Sequence, residues 1–483
     1  MDANELQSFL PELIAFQKQF DDCFHDHRSR DHLPVYLKGQ LSDLDRKSVE
    51  PIALHAGMAP RTLQQFLGAH SWDHERMRDR VQQIVARDHA GPASIGLIDE
   101  TSFLKKGSKT PGVKRQWCGH LGKVDNCVVT VHLGYTQGDF QCLIDGDLFL
   151  PESWDEDRDR CTKAGIPDTV VYRAKWRIAL EQYDRAVAQG VRFDWMTFDE
   201  YYGSKPEFLK ELSARRQQWV AEVPKHVCGW LTPPRVTERP YRRNRRGRPR
   251  TKRRLVSGQP HAKRLDVLLE KNPKLRDLPW QHYRLDERDK GPSVWEVKHV
   301  RFHPTNDDGL PGEAMHLLMA RHALDGEAVK YYLSNAPEAT PTETLLWVAL
   351  NRHRVERCFQ DEKSELGMDH YEGRTYKGLM RHLYLTLASH LFLIGAVMAR
   401  RGKKSRVDFT ASASSGGGAD RGLDDDGMRA KRPAGKTGRG YSIPSRPQSP
   451  IAGVPRKENP SAFERTRHQS NQGHTMPSTD LAL

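Results

Sequence analysis

The run Arg352-His353-Arg354-Val355-Glu356-Arg357-Cys358-Phe359-Gln360-Asp361-Glu362-Lys363 decides how this chain is read. At about 100° per residue, positions 352, 356 and 363 fall within one narrow sector of a helix surface. One face thus carries a guanidinium, a carboxylate and an ammonium. Such a face has little reason to enter an apolar core, because Glu, Lys and Arg are almost never fully buried unless paired. It suits a phosphodiester, and the alternative is plain surface ion pairing of Arg352 and Lys363 with acids such as Glu356.

Two segments further upstream end apolar, strand-like runs on acids: Gly96-Leu97-Ile98-Asp99-Glu100 and Trp195-Met196-Thr197-Phe198-Asp199-Glu200. Two carboxylates at strand ends and a third on a facing helix can hold two divalent ions about 3.5–4 Å apart, the arrangement that clamps the attacking and leaving oxygens of an in-line displacement. Each aspartate precedes a glutamate, and strand alternation sends neighbouring side chains to opposite faces without deciding which of the pair is the ligand. A lone strand-end aspartate is a turn or cap residue more often than a ligand. Three such elements in this order, one bearing the Arg/Glu/Lys face, reverse that preference.

On these residues the chain resembles the bacterial insertion-sequence transposases of the DDE class, in the branch with the signature Tyr-x2-Arg-x3-Glu-x6-Lys. Arg352, Glu356 and Lys363 match it, and Ala349 stands where the tyrosine would fall, so that hydroxyl's contact is missing or supplied elsewhere. The resemblance takes in the stretches around Asp99 and Asp199 and, loosely, residues 30 to 395. It implies an α/β fold with an RNase H-like catalytic core, and it selects Asp99 and Asp199 over their glutamate neighbours as partners of Glu356 in catalysis and metal binding. Lys363 would neutralise a phosphate near the scissile bond and Arg352 one near the transposon end. The expected ions are two Mg²⁺, with Mn²⁺ substituting, because all-carboxylate sites suit hard cations that keep waters and phosphate oxygens. The implied reaction is phosphodiester cleavage at transposon ends followed by strand transfer, on double-stranded DNA ends and target, by a homodimer bridging paired ends. A DDE endonuclease without strand transfer and a catalytically dead DNA-binding descendant are the rival readings.

At 483 residues the chain is too long for one ordinary core, and 37% hydrophobic residues supply a sizeable one despite 29% charged residues. The net charge of +13 is unevenly placed. Residues 235–254 hold eleven Arg or Lys against one Glu, residues 401–483 hold fifteen against eight acids, and the remainder is slightly acidic. Positive charge gathered in two segments is the footprint of a phosphate-backbone partner, where released counterions drive association; a solvated linker and tail is the blander reading. Within the first segment, Arg246-Gly247-Arg248-Pro249 could insert Arg246 and Arg248 into a narrow A/T minor groove or simply contact phosphates.

Cys23, Cys118, Cys127, Cys142, Cys161, Cys228 and Cys358 form no Cys-x2-Cys pair, which fits reduced thiols in a bacterial cytoplasm, at the nucleoid for a DNA enzyme. The N-terminus has no secretory pattern, and the most apolar run, Leu383 to Met398, is interrupted by Ser389 and His390 and reads as a buried helix rather than a membrane span. Gly435-Lys436-Thr437 lacks the glycine a phosphate-binding loop needs, with Ala430 in its place. The histidines form no metal-binding motif. Trp295 or Tyr331 could stack on a flipped base, although packing is the commoner use of such residues.

Along the chain, residues 1–90 read as helical. Pro51 to Gly57 and Pro60 to Leu67 give a two-helix pattern of helix-turn-helix type whose second helix would present Arg61, Thr62, Gln64 and Gln65 to DNA; an ordinary helical hairpin is the alternative. From 91 to 400 a catalytic domain is expected: strands at 93–98, 127–135 and 140–148, a helix at 172–189, strands at 191–198 and 218–223, a basic, β-rich insertion at about 225–335, the Glu356 helix, and a last helix at 377–397. Residues 401–483, rich in Ser, Gly, Pro and Arg, are expected to be disordered.

Overall fold

The acidic segments are carried by one large sheet, seen in a computed structural model that describes residues 9–238, 252–287, 291–324, 326 and 328–414. Among the described residues five helices of seven or more residues come first: α1 (Leu10–Lys18), α2 (His32–Leu41), α3 (Val49–His55), α4 (Pro60–Gly68) and α5 (His74–Asp88). Then come strands β1 (Ile95–Leu104), β2 (Lys114–Cys118), β3 (Lys123–Gln137) and β4 (Phe140–Leu148). Helix α6 (Lys175–Ala188) leads to β5 (Trp195–Phe198), the one-turn helix α7 (Glu200–Gly203) and β6 (Trp219–Val223).

The insertion follows. It holds the short strands β7 (Cys228–Trp230), β8 (Val236–Thr237), β9 (Arg254–Leu255) and β10 (Lys263–Arg264), then the longer β11 (Gln281–Glu287), β12 (Gly291–Pro304), β13 (Met315–His322) and β14 (Lys330–Ser334). Helices α8 (Thr342–Asn351), α9 (His353–Ser364) and α10 (Tyr376–Ser414) complete the described chain.

The fold is mixed α/β around one mixed sheet. From one side its order is β12, β13, β14, β6, β5, β1, β3, with β2 and β4 both on β3 and β11 on β12. Only β1–β5 and β5–β6 pair in parallel; the remaining pairs are antiparallel. The insertion therefore continues the sheet rather than standing off it, because β14 runs antiparallel to β6, with Tyr332 opposite Glu222.

Helix α10 explains the apolar run near the C-terminus. It is long and apolar enough over Tyr376–Arg400 to cross a membrane, yet most of that window is buried inside the protein, including Leu383, Leu387, His390 and Leu391. It also docks the helical N-terminus. The buried Arg381 guanidinium donates to the carbonyls of Phe66, Leu67 and Trp72 at 2.6–3.1 Å and lies over the Trp72 ring, so it satisfies two carbonyls that the last turn of α4 leaves without an intrahelical partner and a third in the loop beyond it. With α4 held this way, Arg61, Gln64 and Gln65 face solvent and Leu63, Phe66 and Leu67 face the core.

Several boundaries differ from the sequence reading. Strand β1 runs on past Asp99 to Leu104, because β3 offers an antiparallel partner along its whole length. Asp99 is thus within a strand, not at its end. Strand β2 was not anticipated. Gly134 lies inside β3 at a bulge, and the β3–β4 turn is made at Gly138, whose φ is +57°. The strand expected from Val191 is confined to Trp195–Phe198. Helix α10 passes the expected boundary at 400 and ends at Ser414, since a helix already nucleated by packing propagates one residue at a time; the rest of the expected disordered tail lies outside the described residues.

Candidate active site

Parallel pairing brings the two aspartates side by side although they are a hundred positions apart in the chain. Ile98 pairs with Phe198, and Phe198 pairs with Ala221. One step further on each strand stand Asp99, Asp199 and Glu222, so three neighbouring strands present acids at one level. Asp199 begins α7, and its Oδ1 accepts the backbone N–H groups of Tyr201 at 3.0 Å and Tyr202 at 3.3 Å, a cap that aspartate makes well. That cap sits close on β6: a Cβ added at Gly203 would come within 1.9 Å of the Glu222 carbonyl oxygen, so only glycine fits there.

Arg352 joins the three acidic elements. It occupies the junction of α8 and α9, donates from Nη1 to Asp99 at 3.3 Å and from Nη2 to Glu356 at 2.7 Å, and holds Nε 3.9 Å from Glu222. Glu222 also accepts from Lys330 of β14. Lys363 donates to the Ser102 carbonyl at 3.3 Å beside the Phe103 ring, and burial pulls its ammonium below the usual lysine range. Glu100, on the far side of Asp99, is paired with Lys175 and accepts the Tyr202 hydroxyl at 3.0 Å. Arg352, Asp99, Glu356, Glu222, Lys330, Lys363, Glu100 and Lys175 all line one cleft of about 1010 Å³.

The cleft strains its own acids. Burial and then the Asp199 charge push Asp99 up to about 8, with Arg352 only partly offsetting them. Burial and then Glu100 push Asp199 up to about 6. A cation placed between them relieves both penalties, and oxygen donors of this kind fit a hard divalent ion. Among the described residues, however, no three His, Cys, Asp or Glu side chains lie close enough to share an ion. Glu356 reaches Asp99 through the Arg352 guanidinium rather than directly.

Of the residues named from sequence, Asp99, Asp199, Glu356, Arg352 and Lys363 share this cleft. Arg61 and Gln64 are exposed on α4 and do not line it, while Arg246 and Arg248 lie outside the described residues. Neither Trp295 nor Tyr331 lines it either: the Trp295 indole donates to Ser293 and meets the edge of His322, and Tyr331 is buried. Sequence reasoning missed Glu222, Lys330 and Lys175. The signal for Glu222 was present, since it is the one charged residue of the strand Trp219-Val220-Ala221-Glu222-Val223.

A family model described as DDE superfamily endonuclease matches residues 19–292, more than half of the chain. The chain belongs to the DDE superfamily endonucleases. The matched segment carries Asp99 and Asp199 and ends before Arg352 and Glu356. A probable transposase for insertion sequence element IS701 from Microchaete diplosiphon is 31% identical over 208 residues, which is 42% of this chain and 51% of that protein. The chain thus spans about half the length of that relative.

Proposed function

We propose that the chain is an insertion-sequence DNA transposase with an RNase H-like core, cutting phosphodiesters at transposon ends and joining them to target DNA. The alignment of Asp99 with Asp199 across the parallel pair β1–β5 carries this reading, together with the Arg352/Glu356/Lys363 face packed over the same sheet. Asp99, Asp199 and Glu356 would hold two Mg²⁺ ions, which supply activation of the attacking oxygen and stabilisation of the leaving one. The chain's own part is to bind and orient. Lys363, Lys330 and Arg352 draw phosphates into an otherwise acidic cleft, and a phosphate that engages the Arg352 guanidinium frees Asp99 and Glu356 from it. The exposed side of α4, with Arg61 and Gln64, would contact duplex DNA, and the basic segment containing Arg246 and Arg248 would add phosphate or minor-groove contacts. Two copies would bridge paired ends, in a bacterial cytoplasm where the nucleoid is the substrate.

The test is a plasmid assay in Mg²⁺ and in Mn²⁺ with the DNA ends flanking the gene. Joined products establish the transposase, nicks alone the endonuclease, and shifted but uncut DNA a binding protein. Asp199→Ala is expected to abolish cutting, by a factor of about 10³ or more, and to leave DNA binding in place. Cutting that survives this change overturns the site.

A further inference from the structure

We propose that Trp117 is a stacking platform for an unpaired nucleobase of the DNA bound at the acidic cleft, an inference that rests on the transposase reading above. Trp117 lies near the end of β2 and is 63% exposed; its cross-strand partner Val124 is 52% exposed. Leu121, in the turn between them, and Leu104, at the end of β1, are exposed as well. Single exposed apolar side chains need no explanation, but four gathered at one end of the β1–β2–β3 unit do. Trp117 and Leu104 line the same cleft as Asp99, Asp199 and Arg352, so a ligand that fills that cleft meets the indole as well as the acids.

Charge identifies the occupant. Residues 104–124 contain six Lys or Arg and no acid, and Lys106, Lys109, Lys114 and Arg115 are exposed. A ligand that matches an apolar ring flanked by cations offers a flat π face joined to negative charge, which is a nucleotide within a strand. A base inside a duplex is already covered on both faces, whereas one freed by fraying or by cutting offers a face, and stacking on an aromatic side chain then adds affinity without reading sequence. Trp295 and Tyr331 do not line the cleft, and Tyr331 is buried.

Two labelled duplexes, one ending in a short single-stranded overhang and one blunt, test the platform when bound by the full chain in Ca²⁺. Trp117→Ala is expected to weaken binding of the overhang duplex about tenfold and of the blunt duplex by no more than about twofold. Trp117→Phe is expected to retain most of the preference, and 2-aminopurine in the overhang to be quenched by the wild type and Trp117→Phe but not by Trp117→Ala. The melting temperature should be unchanged, since the indole is exposed. Equal losses on both duplexes, or no loss on either, overturn the proposal. So does a change of oligomeric state in Trp117→Ala with DNA affinity intact, which would make the patch a contact between copies of the chain. A wild-type chain that cuts no plasmid in Mn²⁺ yet shows the Trp117-dependent preference sinks the transposase reading and leaves the platform standing.

Discussion

At Asp99, burial and the neighbouring Asp199 carboxylate both favour the protonated acid, and the Arg352 guanidinium offsets only part of this. The consequence for stability has a definite sign. In the unfolded chain Asp99 ionises near 3.8 and in the folded one near 8, so its contribution is fully present below about 4 and is lost as pH rises through about 8. Asp99→Asn removes the ionisation and is therefore expected to be the more stable protein in EDTA at alkaline pH. The gain should be on the order of 1–3 kcal/mol once the cleft's access to water is allowed for, growing from about pH 4 to about pH 8. Thermal melts across that range check it, and a constant difference between the two proteins would contradict it. Mn²⁺ should raise the melting temperature of the wild type more than that of Asp99→Asn, because the variant keeps only Asp199 of the two strained acids. The grouping of side chains was largely legible: Arg352 and Lys363 were named from residue type and spacing, Asp99 and Asp199 were chosen over their glutamate neighbours by the family resemblance, and the four line one cleft. Glu222 and Lys330 were not named, because what brings them in is strand register, which a single strand's sequence does not state.

At the scale of elements, the site depends on how tightly α7 lies on β6. Gly203 has no Cβ, and any side chain there would strike the Glu222 carbonyl oxygen, which is backbone and cannot rotate away. Gly203→Ala should push α7 off the sheet, loosening both the Asp199 cap and the level of Glu222, at a cost of about 1–3 kcal/mol. The expected signature is a lowered melting temperature together with weakened stabilisation by Mn²⁺; a variant that melts lower but keeps the full metal effect would show that α7 does not set the geometry of Asp199. Periodicity was a sound guide to α5, α6 and α9, whose apolar faces pack inward, and to β3 and β4. It failed where an element's length is set by its partner. Strand β1 continues through polar residues because β3 pairs with it to Leu104, and β5 is short because only Trp195–Phe198 has β1 and β6 on either side. The helix-turn-helix pattern appears as α3 and α4 joined through Gly57, whose φ is +66°.

The described residues hold together as one compact unit, in which the β insertion extends the sheet and α10 ties the N-terminal helices to it. Hydrophobic patterning announced the strand-like pieces that became β12 and β14, but neither β13 between them nor the pairing of β14 with β6, since edge-to-edge pairing is a property of two backbones and leaves little trace in side chains. Residues 417–483, which lie outside the described residues, carry eleven Lys or Arg against seven acids, a net positive charge available to a phosphate backbone. Deleting 417–483 is accordingly expected to leave the melting temperature and the Mn²⁺-supported cutting rate unchanged. It should weaken binding to non-specific duplex DNA at low salt and make the logarithm of the affinity less steep against the logarithm of salt concentration, since fewer phosphates are neutralised. Titrations at a series of salt concentrations measure this directly. An unchanged slope would mean that these cations are spent on the tail's own acids, and a fall of several degrees in melting temperature would mean that the tail belongs to the fold after all.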